Sequence, residues 1–196
     1  MTGVREERRK QIIEASITVF GNKGYHRTKI EEIAIEAEIG KSTIYEYFNS
    51  KKELFEEMII FIVEDYISQI EIILNDISSC REKLIAFAKN YGNFINNHVA
   101  LAENTISASG SITVSSGVKK EIKRWKMQVF YILEEIFKLG INSEELRNDV
   151  DTKIATIIAI GSINEYYGMQ LLIKEMNPTK VDPTPIVDML YRTIKK

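Results

Sequence analysis

Residues 28–48 read TKIEEIAIEAEIGKSTIYEYF, and this stretch decides the fold. Ile30, Ile33, Ala34 and Ala37 recur at i, i+3, i+4 and i+7, which places them on one face of a helix. Thr28 with Glu31 forms a capping box for its start. Ile39 and Gly40 supply a turn. Ile44 and Phe48 then give a second short helix its own apolar stripe. Helices this short cannot bury their faces alone. They must pack on each other and on a neighbour, which is the helix-turn-helix arrangement.

The outward face of the second helix carries the chemistry. With Ile44 and Phe48 inward, Ser42 and Glu46 point away from the core, flanked by Thr43 and Tyr45, with Lys41 at the helix start. Small hydroxyl side chains let a helix enter a major groove, and a lysine reaches base edges or phosphates. The same spacing also fits an ordinary solvated helix pair in an all-α protein. Lys51 and Lys52 favour DNA. Ser50 with Glu53 reads as a second capping box, and two cations then occupy a first turn that prefers acidic side chains. A phosphate docked at that helix end makes them favourable, whereas the plain alternative is two solvated lysines.

The run IEEIAIEAEIGKSTIYEYFNSKKELF, with VFGNKGYHRT (residues 19–28) before it, resembles the DNA-binding signature of the TetR family of bacterial transcriptional regulators. The resemblance covers residues 8–56. It implies a homodimer on a double-stranded DNA operator, with a three-helix head and a larger helical body that senses a small-molecule effector. It aligns Lys41, Ser42 and Thr43 with the start of the recognition helix, and Tyr45 and Tyr47 with residues that touch the DNA backbone or nearby bases. It makes Lys51 a phosphate contact and places Lys29 where the preceding helix also grips phosphate. Glu38 stands where the family favours glycine in the turn, and Gly40 where it favours a serine N-cap; glycine is a tolerable N-cap. Glu46 either accepts from a cytosine amino group or stays solvated.

The chain has 196 residues, 44% of them apolar, enough for a substantial core. Its net charge is −2, and residues 1–53 hold ten Lys/Arg against nine Asp/Glu, so any basic surface is local. The single cysteine, Cys80, excludes an internal disulfide, and no metal-ligand spacing surrounds it. No glycine-rich phosphate loop or Ser-His-Asp context is present, which argues against an enzyme, and no cofactor is implied. The N-terminal stretch lacks a signal-peptide core, and the apolar run at residues 154–173 is interrupted by Ser162, Asn164, Glu165 and Gln170. The expected location is the cytoplasm, away from membranes.

The fold expected is all-α, with a helix-turn-helix domain over residues 1–50 and a ligand-binding and dimerisation domain over 51–196. A first helix is expected over residues 5–20, ended by Gly21 and Gly24, and a long one over 51–76. Two helices are expected in residues 81–108, a Gly/Ser-rich loop at 107–117, and a helix over 118–139 stopped by Gly140. Helices over 152–176 and 186–194 follow, with all three prolines between them. Gly161, Ser162 and Gly168 permit close approach of another helix, and the last two helices are the candidates for a two-fold interface. Tyr91, Phe94, His98, Trp125, Tyr131 and Tyr166 are candidate walls of an effector pocket, with Glu103 or Glu165 able to meet a cation; the same spacing also fits plain core. An adaptor or architectural factor whose body binds a protein is the alternative to a ligand sensor.

Overall fold

A computed structural model describes residues 2–75, 77, 79–106, 114–174 and 180–196. The described residues form eight helices: α1 (Thr2–Arg27), α2 (Ile30–Glu36), α3 (Lys41–Tyr47), α4 (Lys51–Asn75), α5 (Cys80–Ile106), α6 (Ser116–Asn142), α7 (Thr152–Lys174) and α8 (Thr184–Ile194). The chain divides into two compact units, Met1–Glu64 with His98–Ile122, and Asp65–Asn97 with Lys123–Lys196.

In the first unit, Ile12, Ile13, Val19 and Phe20 of α1 meet Ile30, Ile33, Ala34 and Ala37 from α2 and its C-cap, Ile44 and Phe48 from α3 and its C-cap, and Leu54, Phe55 and Met58 from α4, all buried. The first helix does not stop at residue 20. It runs to Arg27 through a break at Gly24, whose φ of 73° is open to glycine and strained for other residues. Gly21 sits inside the helix with open space around it. Phe20, Tyr25 and Phe55 close the break, with ring centroids 4.9–5.9 Å apart. The expected capping box moves by one residue. Thr28 is buried, and its hydroxyl donates to Gly24 O at 2.8 Å, finishing α1 instead of starting α2. Lys29 is the N-cap of α2, and its N–H donates to Glu32 Oε2 at 2.9 Å. At α4, Ser50 Oγ accepts from Glu53 N at 3.1 Å as a cap should, but Glu53 reaches back to Asn49 N at 2.8 Å. The turn between α2 and α3 passes through Glu38 at φ 54°, a left-handed position filled by a residue with a Cβ.

The core of the second unit joins Tyr66, Ile70 and Leu74 of α4, Leu84 and Phe87 of α5, Leu133, Ile136 and Phe137 of α6, Ala159, Ile163 and Tyr167 of α7, and Val187 and Ile194 of α8. Two expectations change here. α5 is one continuous helix from Cys80 to Ile106, and not two; residues 107–109 lie outside the described residues. Gly140 is not a helix stop, since α6 continues to Asn142. Its role is close packing: a Cβ there would stand 2.8 Å from Leu146 Cδ1 and 2.9 Å from Cys80 Sγ. Cys80 is buried, and burial pushes its thiol up to about 12, which disfavours the thiolate. Glu145 caps the start of α5, accepting from Cys80 N at 3.0 Å, and also accepts from Ser143 Oγ at 3.1 Å. Its neighbours pair with the chain end through Arg147 N to Ile194 O at 3.0 Å and Lys196 N to Glu145 O at 3.1 Å. Arg81 and Asp188 add a 2.6 Å ion pair between α5 and α8.

Two substitutions test these glycine arguments with opposite signs. Glu38→Gly relieves the left-handed strain and raises stability by about 0.5–1 kcal/mol. Gly140→Ala forces Leu146 or Cys80 to move and lowers stability by about 1–3 kcal/mol. Thermal denaturation followed by circular dichroism reads both.

Candidate nucleic-acid interface

The outward face of α3 is arranged as its periodicity requires. Ile44 is buried, Lys41, Ser42, Tyr45 and Glu46 are exposed, and Thr43 and Tyr47 are half-buried. Gly40 serves as the N-cap, with Thr43 N donating to its carbonyl at 3.0 Å. Beside this face, Val4, Arg5 and Arg8 of α1 and Glu46 and Tyr47 of α3 line an open cleft of about 590 Å³. The Arg5 guanidinium lies 5.7 Å from the Tyr47 ring centre, and Arg8 donates to Gln11 Oε1 at 2.8 Å. Lys29 is exposed at the start of α2.

Several cations of this unit are held by carboxylates. Lys41 Nζ meets Glu31 Oε1 at 2.6 Å and also lies 6.0 Å from the Tyr45 ring centre. The shared hydrogen bond holds the Glu31 carboxyl below its ordinary range and the Lys41 ammonium above its own. Lys23 pairs with Glu32 at 2.6 Å, Arg9 with Glu57 at 2.7 Å, and Lys10 with Glu14 at 3.7 Å. Exposed pairs of this kind are weak and screened by salt, so a phosphate can replace the carboxylate. Lys51 is different. Its ammonium donates to Tyr25 O at 2.7 Å and Thr28 O at 2.8 Å, and lies 4.5 Å from the Tyr25 ring centre. Burial lowers its pKa. It ties the first turn of α4 to the carbonyls around the end of α1, a partnership 26 residues apart that spacing in the sequence does not show.

The six aromatic candidates for an effector pocket do not form one wall. Phe94 and Trp125 are within 6.3 Å of each other, and both contact Tyr66, at 4.5 and 6.1 Å. Tyr91 and Tyr166 each pack on Tyr167, at 5.8 and 6.0 Å, and Tyr166 Oη donates to Asp182 O at 3.0 Å. Tyr131 lies on the outer side of α6, 58% exposed. His98 belongs to the first unit and the other five to the second. Glu165 is exposed on α7, and the Glu103 side chain lies outside the described residues. Tyr66 was absent from the expected wall because its spacing from Ile62 and Ile70 reads as ordinary core.

Residues 12–58 match the model for bacterial regulatory proteins, tetR family. The chain is 24% identical over 157 residues to the fatty acid metabolism regulator protein of Bacillus subtilis, covering 79% of each chain. It is 33% identical over 91 residues to the HTH-type transcriptional activator FasR of Mycolicibacterium smegmatis, covering 46% of this chain and 42% of that one. Among solved structures, it is similar to the transcriptional regulator FadR from Bacillus subtilis in complex with stearoyl-CoA, with a TM-score of 0.68 and 22% identity over 93% of this chain and 95% of that one. A TetR transcription regulator from Haloarcula marismortui superposes with a TM-score of 0.78 at 13% identity, covering 97% and 100%. No helix among the described residues is long and apolar enough to cross a membrane. Residues 12–58 thus carry a TetR-family DNA-binding region, and the chain is an all-α, DNA-binding transcriptional regulator of that type.

Proposed function

We propose that this regulator is a cytoplasmic homodimeric repressor that a long-chain acyl ligand releases from its operator. The observation that carries the DNA half of this reading is the outward face of α3: a buried Ile44 turns Lys41, Ser42 and Tyr45 to solvent beside Arg5 and Arg8. In this reading Lys41, Ser42, Thr43 and Tyr45 enter the major groove, and Tyr47, Lys29, Arg5 and Arg8 hold the backbone.

The dimer reading is supported by α7. Ile154 and Ile157 are 56% and 62% exposed, Ile158 and Met169 share that side, and a Cβ at Gly161 or Gly168 would meet nothing within 4 Å. Met189 of α8 is also exposed. A second copy of α7 and α8 placed on these faces by a two-fold axis makes a four-helix bundle. Two such protomers would set their recognition helices in successive major grooves, about 34 Å apart. The acyl ligand is carried over from the relatives, one a fatty acid metabolism regulator and the other solved with stearoyl-CoA. It would act by binding a conformation with lower DNA affinity.

Footprinting on DNA flanking its own gene tests the operator and the dimer together, with a short near-palindrome as the expected footprint and sequence-blind protection as the refutation. Lys41→Ala and Tyr47→Phe should each weaken operator binding while sedimentation and circular dichroism stay unchanged; full binding by both variants rejects this DNA face. Glu31→Gln should do the reverse. It frees Lys41 from its carboxylate, so binding tightens about two- to fivefold at low salt and the advantage shrinks as salt rises. Weaker binding by Glu31→Gln would mean that the pair orients the lysine for DNA.

A further inference from the structure

Arg5 and Arg8 line the open cleft beside α3. Among the described residues neither forms an ion pair, unlike Lys41, Lys23 and Arg9. Arg5 is held by the Tyr47 ring, and Arg8 by an amide. Arg8 Nη1 donates to Gln11 Oε1 at 2.8 Å, and Gln11 Nε2 donates in turn to Ala37 O at 2.9 Å. Glu46 lines the same cleft, with no ion pair to either arginine among the described residues.

The far end of this relay is anchored. Ala37 is the buried C-cap of α2, and Glu38 follows it at φ 54°. The helix cannot continue through that position, so its last carbonyls need donors from elsewhere. Gln11, half-buried on α1, supplies one from 26 residues earlier in the chain. A carbonyl only accepts and a guanidinium only donates. A primary amide serves both at once, its NH2 toward the carbonyl and its oxygen toward the arginine. A carboxylate at the same position would hold Arg8 but repel Ala37 O, and it would offset the arginine's charge. A thioether would serve neither. Arg8 is therefore directed by a neutral group, and it keeps both its full charge and donors for a further oxygen. We infer that Gln11 is a positioning residue for DNA binding, which fixes Arg8 against the turn after α2 so that an uncompensated guanidinium meets a backbone phosphate. This rests on the DNA face proposed above and adds what sets the direction of the arginine.

The full-length protein is titrated with its footprinted DNA over a range of salt concentrations, as wild type, Arg8→Ala, Gln11→Met and the double variant, with melting temperatures read alongside. Arg8→Ala should lower the slope of log affinity against log salt by about one per protomer. Gln11→Met should weaken binding about three- to tenfold per protomer, and should cost nothing further once Arg8 is alanine. A role confined to bracing Ala37 O acts equally in both backgrounds, so equal weakening with and without Arg8 overturns the positioning role while the phosphate contact stands. Full-strength binding by Gln11→Met overturns it as well. Gln11→Glu decides the matter if Gln11→Met does not fold. Its carboxylate pairs with Arg8, so the slope should fall by about one per protomer with Arg8 present and stay unchanged without it; an unchanged slope with Arg8 present overturns the hold of residue 11 on the arginine. An unchanged slope for Arg8→Ala overturns the phosphate contact and the role of Gln11 with it. Absence of specific binding by the wild type overturns the DNA face and this inference together.

Discussion

A helix of seven residues has almost no stability of its own, and α3, which carries the candidate DNA face, is that short. Its position is borrowed from what it buries. Ile44 and Phe48 fix its inner side against α1, α2 and α4, and the guanidinium of Arg9 lies 5.2 Å from the Phe48 ring centre on the way to its ion pair with Glu57. The same need explains Lys51. A charge that could have faced solvent is partly desolvated, and it is stabilised because it satisfies carbonyls at a helix end that lack intrahelical partners. The side chains of the candidate face on α3 are therefore positioned by contacts within the protein.

The near-neutral charge of residues 1–53 comes from nearly equal numbers of basic and acidic side chains, several of which pair with each other. Each carboxylate beside Lys41, Lys23 and Arg9 lowers the non-specific pull of the unit on phosphate. A groove that offers only phosphates must compete with these pairs. A groove that also complements Ser42, Thr43 and Tyr45 gains contacts that the carboxylates do not oppose. Pairing of this kind trades affinity for discrimination, which suits a regulator that must ignore most of a genome.

The helix-turn-helix was legible because its signal is local: Ile30, Ile33, Ala34 and Ala37, then Ile44 and Phe48, are periodic over two turns each and are buried as that period requires. What was misread depends on partners that the helical period does not specify. Thr28 and Lys29 are both plausible caps in sequence, and only the carbonyl of Gly24 decides that Thr28 faces backward. Gly140 looks like a stop until Cys80, sixty residues earlier in the chain, is placed against it. Gly92 lies within a helix that reads as ordinary, yet a Cβ there would stand 2.6 Å from the Tyr167 ring. The aromatic residues of the second unit have the spacing of core, and most of them are core. Tyr66, Asn90 and Trp125 leave polar atoms without a partner among the described residues, and no pattern in a sequence records a hydrogen bond that is not made.

The second unit carries two features that are unfavourable in an isolated chain: unpaired polar atoms of Tyr66, Asn90 and Trp125 inside, and isoleucines exposed along α7. On the proposed assembly, the exposed face of α7 is covered by a second copy, so the apolar surface that costs the free protomer stability becomes the contact that holds two protomers together.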